Sequence, residues 1–197
     1  MSWIYIHNRE FDKAEKLIKR LPSLESNNLR ESIMSQLIHF RFGFNKQKEY
    51  FSDTLRKLYN ATAKEFYFNF EDFSYFADVD EALALRNKIF KVIDAYKSFE
   101  NIRADVLEGE NRLRRYTPKC YAKKGDFKMA GEELVRIAEN FCEIAKIGGV
   151  YASIDEMKSK AISEIEKTVN FVDEPYIEKV KSDNGYKKAL EIINNYN

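Results

Sequence analysis

Tyr121-Ala-Lys-Lys-Gly125-Asp126-Phe127-Lys-Met-Ala130-Gly-Glu-Glu-Leu134 sets a helix stop directly beside a helix start. Gly125 lacks a Cβ, so it takes the positive φ that closes a helix, and the Asp126 carboxylate is suited to cap the next one. Phe127, Ala130 and Leu134 then fall at i, i+3 and i+7, on one helical face. The small Ala130 predicts a close approach of the two helices. The stretch therefore reads as a helical hairpin with a long amphipathic second arm.

Working outward, the same periodicity accounts for most of the chain. Upstream, a clipped helix at 2–8 precedes a helix from Phe11 to Leu21 with Ala14, Leu17, Ile18 and Leu21 on its apolar stripe, stopped by Pro22. Helices follow at about 27–43 and from Lys46 to Asn60. Phe66-Tyr-Phe-Asn-Phe-Glu-Asp-Phe-Ser-Tyr-Phe76 fits both periods in part and is read as helix and irregular turn. Asp78 and Glu81 form a capping box for a helix carrying Ala82, Leu85, Ile89, Ile93 and Tyr96.

A helix at 101–116 gives way at Thr117-Pro118, since Pro suits the first helical turn. Downstream, the long arm runs through Ile137, Phe141 and Ala145 to Gly148-Gly149. Ser153 and Glu156 open a helix to about Val172, Pro175 starts a short one, Asn184-Gly185 breaks it, and Tyr186 to Tyr196 closes the chain. The expectation is an all-α fold of stacked antiparallel helical hairpins, nine or ten helices in one domain spanning 1–197, with a soft division near 98–118.

Composition agrees. In 197 residues there are only 7 Gly and 3 Pro against 15 Phe and 12 Tyr, too little punctuation for a many-stranded sandwich. Hydrophobic residues at 44% and charged residues at 33% suit a folded soluble chain. The net charge of +1 supplies no global pull toward nucleic acid or an anionic membrane. No apolar run approaches spanning length, and two cysteines make no disulfide framework, which fits a reducing cytoplasm.

Tyr121, Gly125, Asp126, Phe127, Ala130 and Leu134 together resemble the turn and second-helix start of a tetratricopeptide repeat. Shorter echoes occur at Phe11-Ala14-Ile18 and Tyr186-Ala189-Ile193. The resemblance implies stacked hairpins, in a regular or an irregular bundle, and binding of other proteins.

Candidate functional residues are few. His7 and His39 stand in neither Glu-x-x-His nor His-x-x-x-His spacing, and the positions four to six before His39 hold Ser35, Met34 and Ile33 rather than an Arg. Both are read as ordinary, partly buried histidines. Asp72, Asp78, Asp80 and Glu81 offer hard oxygens to a divalent cation, but capping already explains Asp78 and Glu81. Arg112, Arg115, Lys119 and Lys123 recur at helical spacing as a candidate anion or nucleic-acid contact, with a solvated face as the simpler reading.

Phe68, Phe70, Phe73 and Phe76 are candidate partner-binding aromatics if exposed, core if not. No catalytic residue, cofactor or metal is expected. The leading expectation is a non-enzymatic helical scaffold for a protein or peptide partner, self-association included. The alternative is a nucleic-acid-associated protein using the stripe 112–128.

Overall fold

A computed structural model describes residues 2–21, 29–76, 78–148 and 150–197. Among these, eleven α-helices and one 3-10 turn account for the regular structure, and no strand occurs. The chain is all-α. It divides into two compact units, Met1–Ala61 and Thr62–Asn197, so the boundary falls inside a helix. Residues 98–118, where the sequence suggests a soft division, lie within the second unit.

The first unit contains α1 (Ser2–His7), α2 (Phe11–Ile18), α3 (Leu29–Phe42) and the first part of α4 (Phe44–Phe76). Ile6, Ala14, Ile18, Ile33 and Leu37 form its buried cluster. α2 stops at Ile18 and turns through Lys19 and Arg20, three residues short of the expected Leu21. Pro22 lies outside the described residues. Gly43, at φ +88°, separates α3 from α4. His7 and His39 are both exposed, each in a T-shaped ring contact with Phe40, which corrects their expected partial burial.

The sequence suggests an interruption around 66–76, yet α4 runs unbroken from Phe44 to Phe76. Helical hydrogen bonds override the alternating pattern because Phe66, Phe70 and Phe73 share one helical face. Phe70 is fully buried.

The second unit is built around α8 (Phe127–Ile147). It packs against α6 (Arg103–Arg114), α7 (Thr117–Lys123), α9 (Ile154–Asn170), α10 (Glu174–Ser182) and α11 (Asn184–Asn194). Gly125 takes φ +76°, and the Asp126 carboxylate accepts the Met129 N–H, as the turn chemistry requires. Leu134, Ile137 and Ala138 then meet Met157, Ala161 and Ile165 in the main core.

The other expected caps form too. Asp78 accepts the Asp80 and Glu81 amides at the start of α5 (Val79–Tyr96), and Ser153 accepts the Glu156 amide at the start of α9. A 3-10 turn, Glu100–Ile102, leads into α6.

The end of the chain differs from expectation. The break expected at Asn184-Gly185 falls one residue earlier, at Asp183, and Asn184-Gly185 opens α11, whose N-cap Asp183 accepts the Gly185 amide at 2.7 Å. Gly at the second position of a helix costs little when its missing side chain permits a close crossing, which is what α8 provides.

Candidate functional site

α6 ends at Arg114, and a turn at Arg115–Tyr116 redirects the chain into α7. The bend splits the basic stripe. Lys119 and Lys123 point to Asp173, at 3.2 and 3.5 Å, and buried Lys119 also stands 4.0 Å from the centre of the Tyr75 ring. Arg112 and Arg115 remain together on the face of α6 that also carries Glu108 and Asn111, at spacings of three, four and seven residues.

That face forms one wall of a cleft of about 490 Å³. The opposite wall is α9, with Ser159, Lys160, Ser163, Glu164 and Lys167. Phe141 of α8 and Tyr151 of the α8–α9 connection complete it, their rings stacked with centroids 6.2 Å apart. The volume lies in the range of ordinary ligand sites.

The charges in the cleft are unevenly compensated. Arg115 clamps Glu164 bidentately, Nε to Oε1 at 2.6 Å and Nη2 to Oε2 at 2.7 Å. Burial opposes the charged form of Arg115, but the hydrogen bonds and negative charge of Glu164 outweigh it and raise the pKa. Lys160 pairs with Glu156 at 2.8 Å and sits 5.5 Å above the Tyr151 ring. Arg112 and Lys167 have no acidic partner among the described residues.

Asn111 is buried, and its Oδ1 accepts from Asn140 Nδ2 at 2.9 Å. Its own Nδ2 is left without an acceptor, an arrangement that costs about 1–3 kcal/mol. Burial, followed by the charges of Glu108 and Glu156, pushes the Tyr151 hydroxyl pKa well up.

α6 and α9 both pack antiparallel to α8, so they run side by side in the same direction, in the register fixed by Arg115 on Glu164. Arg112 and Lys160 then stand about one helical turn before the Arg115–Glu164 pair, and Lys167 about one turn beyond it. Such a site can accept an oxyanion joined to an apolar group.

A second depression of about 900 Å³ lies between α6, α8 and α11. There Arg103 pairs with Glu143 and Arg136 with Glu139, so its walls neutralise themselves more fully.

The remaining candidates are placed as follows. Phe70 is core, and Phe73 is partly buried against the cluster of Ala82, Leu83 and Cys120. The side chains of Phe68 and Phe76 lie outside the described residues. Asp78 caps α5 and Asp80 pairs with Lys124. No cluster of metal-ligating side chains occurs among the described residues.

Sequence reasoning found the α6 half of the cleft and missed the α9 half. Lys160, Ser163 and Lys167 do share a helical face, but only the packing of both helices on α8 shows that this face looks toward Arg112.

A separate buried cluster lies on α5, α6 and α8. Glu133 receives both Arg86 and Arg114, while Glu110 receives Arg114 and Lys97. Both guanidinium groups lie over the Phe90 ring, 4.3 and 4.5 Å from its centre. This network ties three helices together.

No protein-family profile matches the chain, and no curated protein and no solved structure matches it. No helix among the described residues is long and apolar enough to cross a membrane.

Proposed function

We propose that this chain is a non-enzymatic helical scaffold for a protein or peptide partner, and that the α6–α8–α9 cleft seats an acidic, partly apolar segment of that partner. The observation that carries the reading is that two cations without acidic partners among the described residues, Arg112 and Lys167, line the same cleft as the stacked Phe141–Tyr151 wall. Aromatic surface supplies contact area and the cations select negative charge, a division of labour common at peptide-binding surfaces. The likeness of 121–134 to a tetratricopeptide turn leads to the same class of function. Two free, buried thiols suit a reducing compartment, the cytoplasm.

A nucleic acid is the weaker reading. A polyanion is held by a run of available cations, each displacing a counterion. Here Arg115, Lys119, Lys123, Lys124 and Lys128 all pair with carboxylates, and Glu108 stands in the cleft itself. Two unpaired cations match one or two carboxylates better than a phosphate backbone.

A peptide-display selection on the immobilised full chain, followed by hydrogen-exchange mapping of the enriched peptides, tests the proposal. Protection in α6, α9 and residues 150–151 is expected. Failure to enrich any peptide, protection confined to the first unit, or preferential binding of single-stranded nucleic acid with a steep salt dependence would overturn it.

A further inference from the structure

Tyr151 lines two depressions, the α6–α9 cleft and a smaller hollow of about 290 Å³. The hollow lies between the end of α8 and the start of α9, where Ala145, Gly148, Ser153, Ile154 and Tyr196 complete its wall. Among the described residues, no charged side chain lines it. Sites that hold a whole small ligand measure roughly 300–1,000 Å³, so a hollow just below that range suits a single side chain.

The sequence around the hollow departs from the rest of the chain. Residues 147–154 include no charged residue, in a protein whose composition is 33% charged. Yet Ile147, Val150 and Ile154 are 44%, 38% and 44% exposed. Apolar side chains exposed singly need no explanation, but three on one connection, beside an uncharged hollow, mark a contact surface.

The neighbouring cleft fixes the chemistry of the occupant. Arg112, Arg115, Lys160 and Lys167 line it against Glu108 and Glu164, and Glu156 holds Lys160, which leaves one positive charge in excess. A segment that offers a carboxylate to the cleft and crosses Tyr151 brings an apolar side chain to the hollow. An anionic membrane suits the surface less well, because Asp155 and Glu156 directly follow Ile154.

We infer, on the docking proposal, that the hollow is an anchor socket seating one large apolar side chain, Leu, Met or Phe, of the acidic segment held in the cleft. Anchors buried in such pockets carry a disproportionate share of binding energy, so the socket would set affinity while the cations select charge.

The test has two arms on the full chain. In the first, its NMR spectrum is followed during titration with the N-acetyl amides of leucine, phenylalanine and asparagine. The leucine or the phenylalanine amide should shift the resonances of Ala145, Ile154 and Tyr196, and the asparagine amide should not. In the second, fluorescence anisotropy compares display-selected peptides on wild type and Ile154→Asn. This substitution removes apolar wall without adding charge, and the exposure of Ile154 keeps the core intact, which a circular dichroism melt checks.

Affinity should fall about tenfold in Ile154→Asn. Replacing the peptide's apolar residue by Ser should cost as much on wild type and little more on the variant, since both changes remove the same contact. No shift with either apolar amide, or peptides indifferent to Ile154→Asn, overturns the socket. Wild type that dimerises and returns to monomer on Ile154→Asn overturns it too, by assigning the surface to a second copy. If selected peptides still protect α6 and α9 in those cases, the docking proposal survives; if no peptide maps to the cleft, both fall.

Discussion

Gly131 of α8 and Gly185 of α11 meet backbone to backbone. A Cβ built on Gly185 would lie 2.4 Å from the Gly131 carbonyl carbon and 2.5 Å from its Cα; one built on Gly131 would lie 2.2 Å from Asp183 Oδ1 and 3.0 Å from Gly185 Cα. No neighbour on the Gly185 side is a flexible side chain, so the clash can be relieved only by moving a helix.

Gly185→Ala should therefore destabilise the second unit by about 1–3 kcal/mol or more, the range for overpacking a tight contact. Gly131→Ala should also destabilise it, partly by displacing the Asp183 carboxylate from the Gly185 amide. Gly125→Ala is the control: nothing lies within 4 Å, and only its φ of +76° is strained, at roughly 1–2 kcal/mol. Chemical denaturation of the three variants checks the order, and a Gly185→Ala protein as stable as wild type would place the crossing elsewhere.

Ala130 is a second point of close packing. It is fully buried in the cluster that also holds Ala122 and Leu134, on the two arms of the α7–α8 hairpin. Ala130→Leu adds three carbons where both arms are already in contact, and a loss on the order of 1–3 kcal/mol is expected. An unchanged melting temperature would show that the site has room.

The network around Glu133 leads to a larger effect. Its side chain is 4% exposed and neutralises two guanidinium groups that are themselves mostly buried. Glu133→Gln retains the shape but removes the charge, leaving Arg86 without a carboxylate and Arg114 with Glu110 alone. Breaking a buried pair in this way costs about 3–5 kcal/mol. The exposed pair Arg136–Glu139 provides contrast, since Glu139→Gln should change stability by about 1 kcal/mol or less. Urea titrations of both variants would show whether burial makes the difference.

Local chemistry made the hairpin legible in the sequence: Gly125, Asp126, Asp78 and Ser153 act on residues two or three positions away, and each does what its residue type suggests. The close crossing was not legible. Gly185 reads locally as a breaker, and Gly131 lies unremarked in an amphipathic run; their role depends on α11 returning to α8 from more than fifty positions away. The cleft falls between these cases. Arg112 and Arg115 stand out on one helix, but the Arg115–Glu164 pairing and the facing Lys167 depend on packing that no local pattern encodes.

Tyr116 should give the fold a dependence on alkaline pH. Burial chiefly, with a hydrogen bond to Glu71 and that residue's charge, raises its pKa from near 10 to about 12. The folded state thus holds the phenolic proton more tightly than the unfolded state. The resulting stability is fully present below pH 10 and is lost as pH rises through 10 toward 12. Tyr116→Phe cannot ionise, so its melting temperature should fall less steeply than that of wild type across this interval. Parallel slopes would show that Tyr116 is not responsible.

The cysteines provide a test of the hairpin geometry itself. Cys120 lies five residues before Gly125, and Cys142 lies seventeen after it. An antiparallel hairpin turning there offsets them by roughly 18 Å along its axis, too far for a disulfide, which needs Cα atoms within about 7 Å. Both thiols are free and buried, and burial raises the pKa of each despite the lysines nearby. Raised thiol pKa values and buried sulfurs together mean little accessible thiolate at neutral pH. Ellman titration of the native chain should therefore proceed slowly and reach two equivalents only after denaturation. Rapid modification of either cysteine in the native state would contradict its burial, and an intramolecular Cys120–Cys142 disulfide in the native monomer would overturn the hairpin.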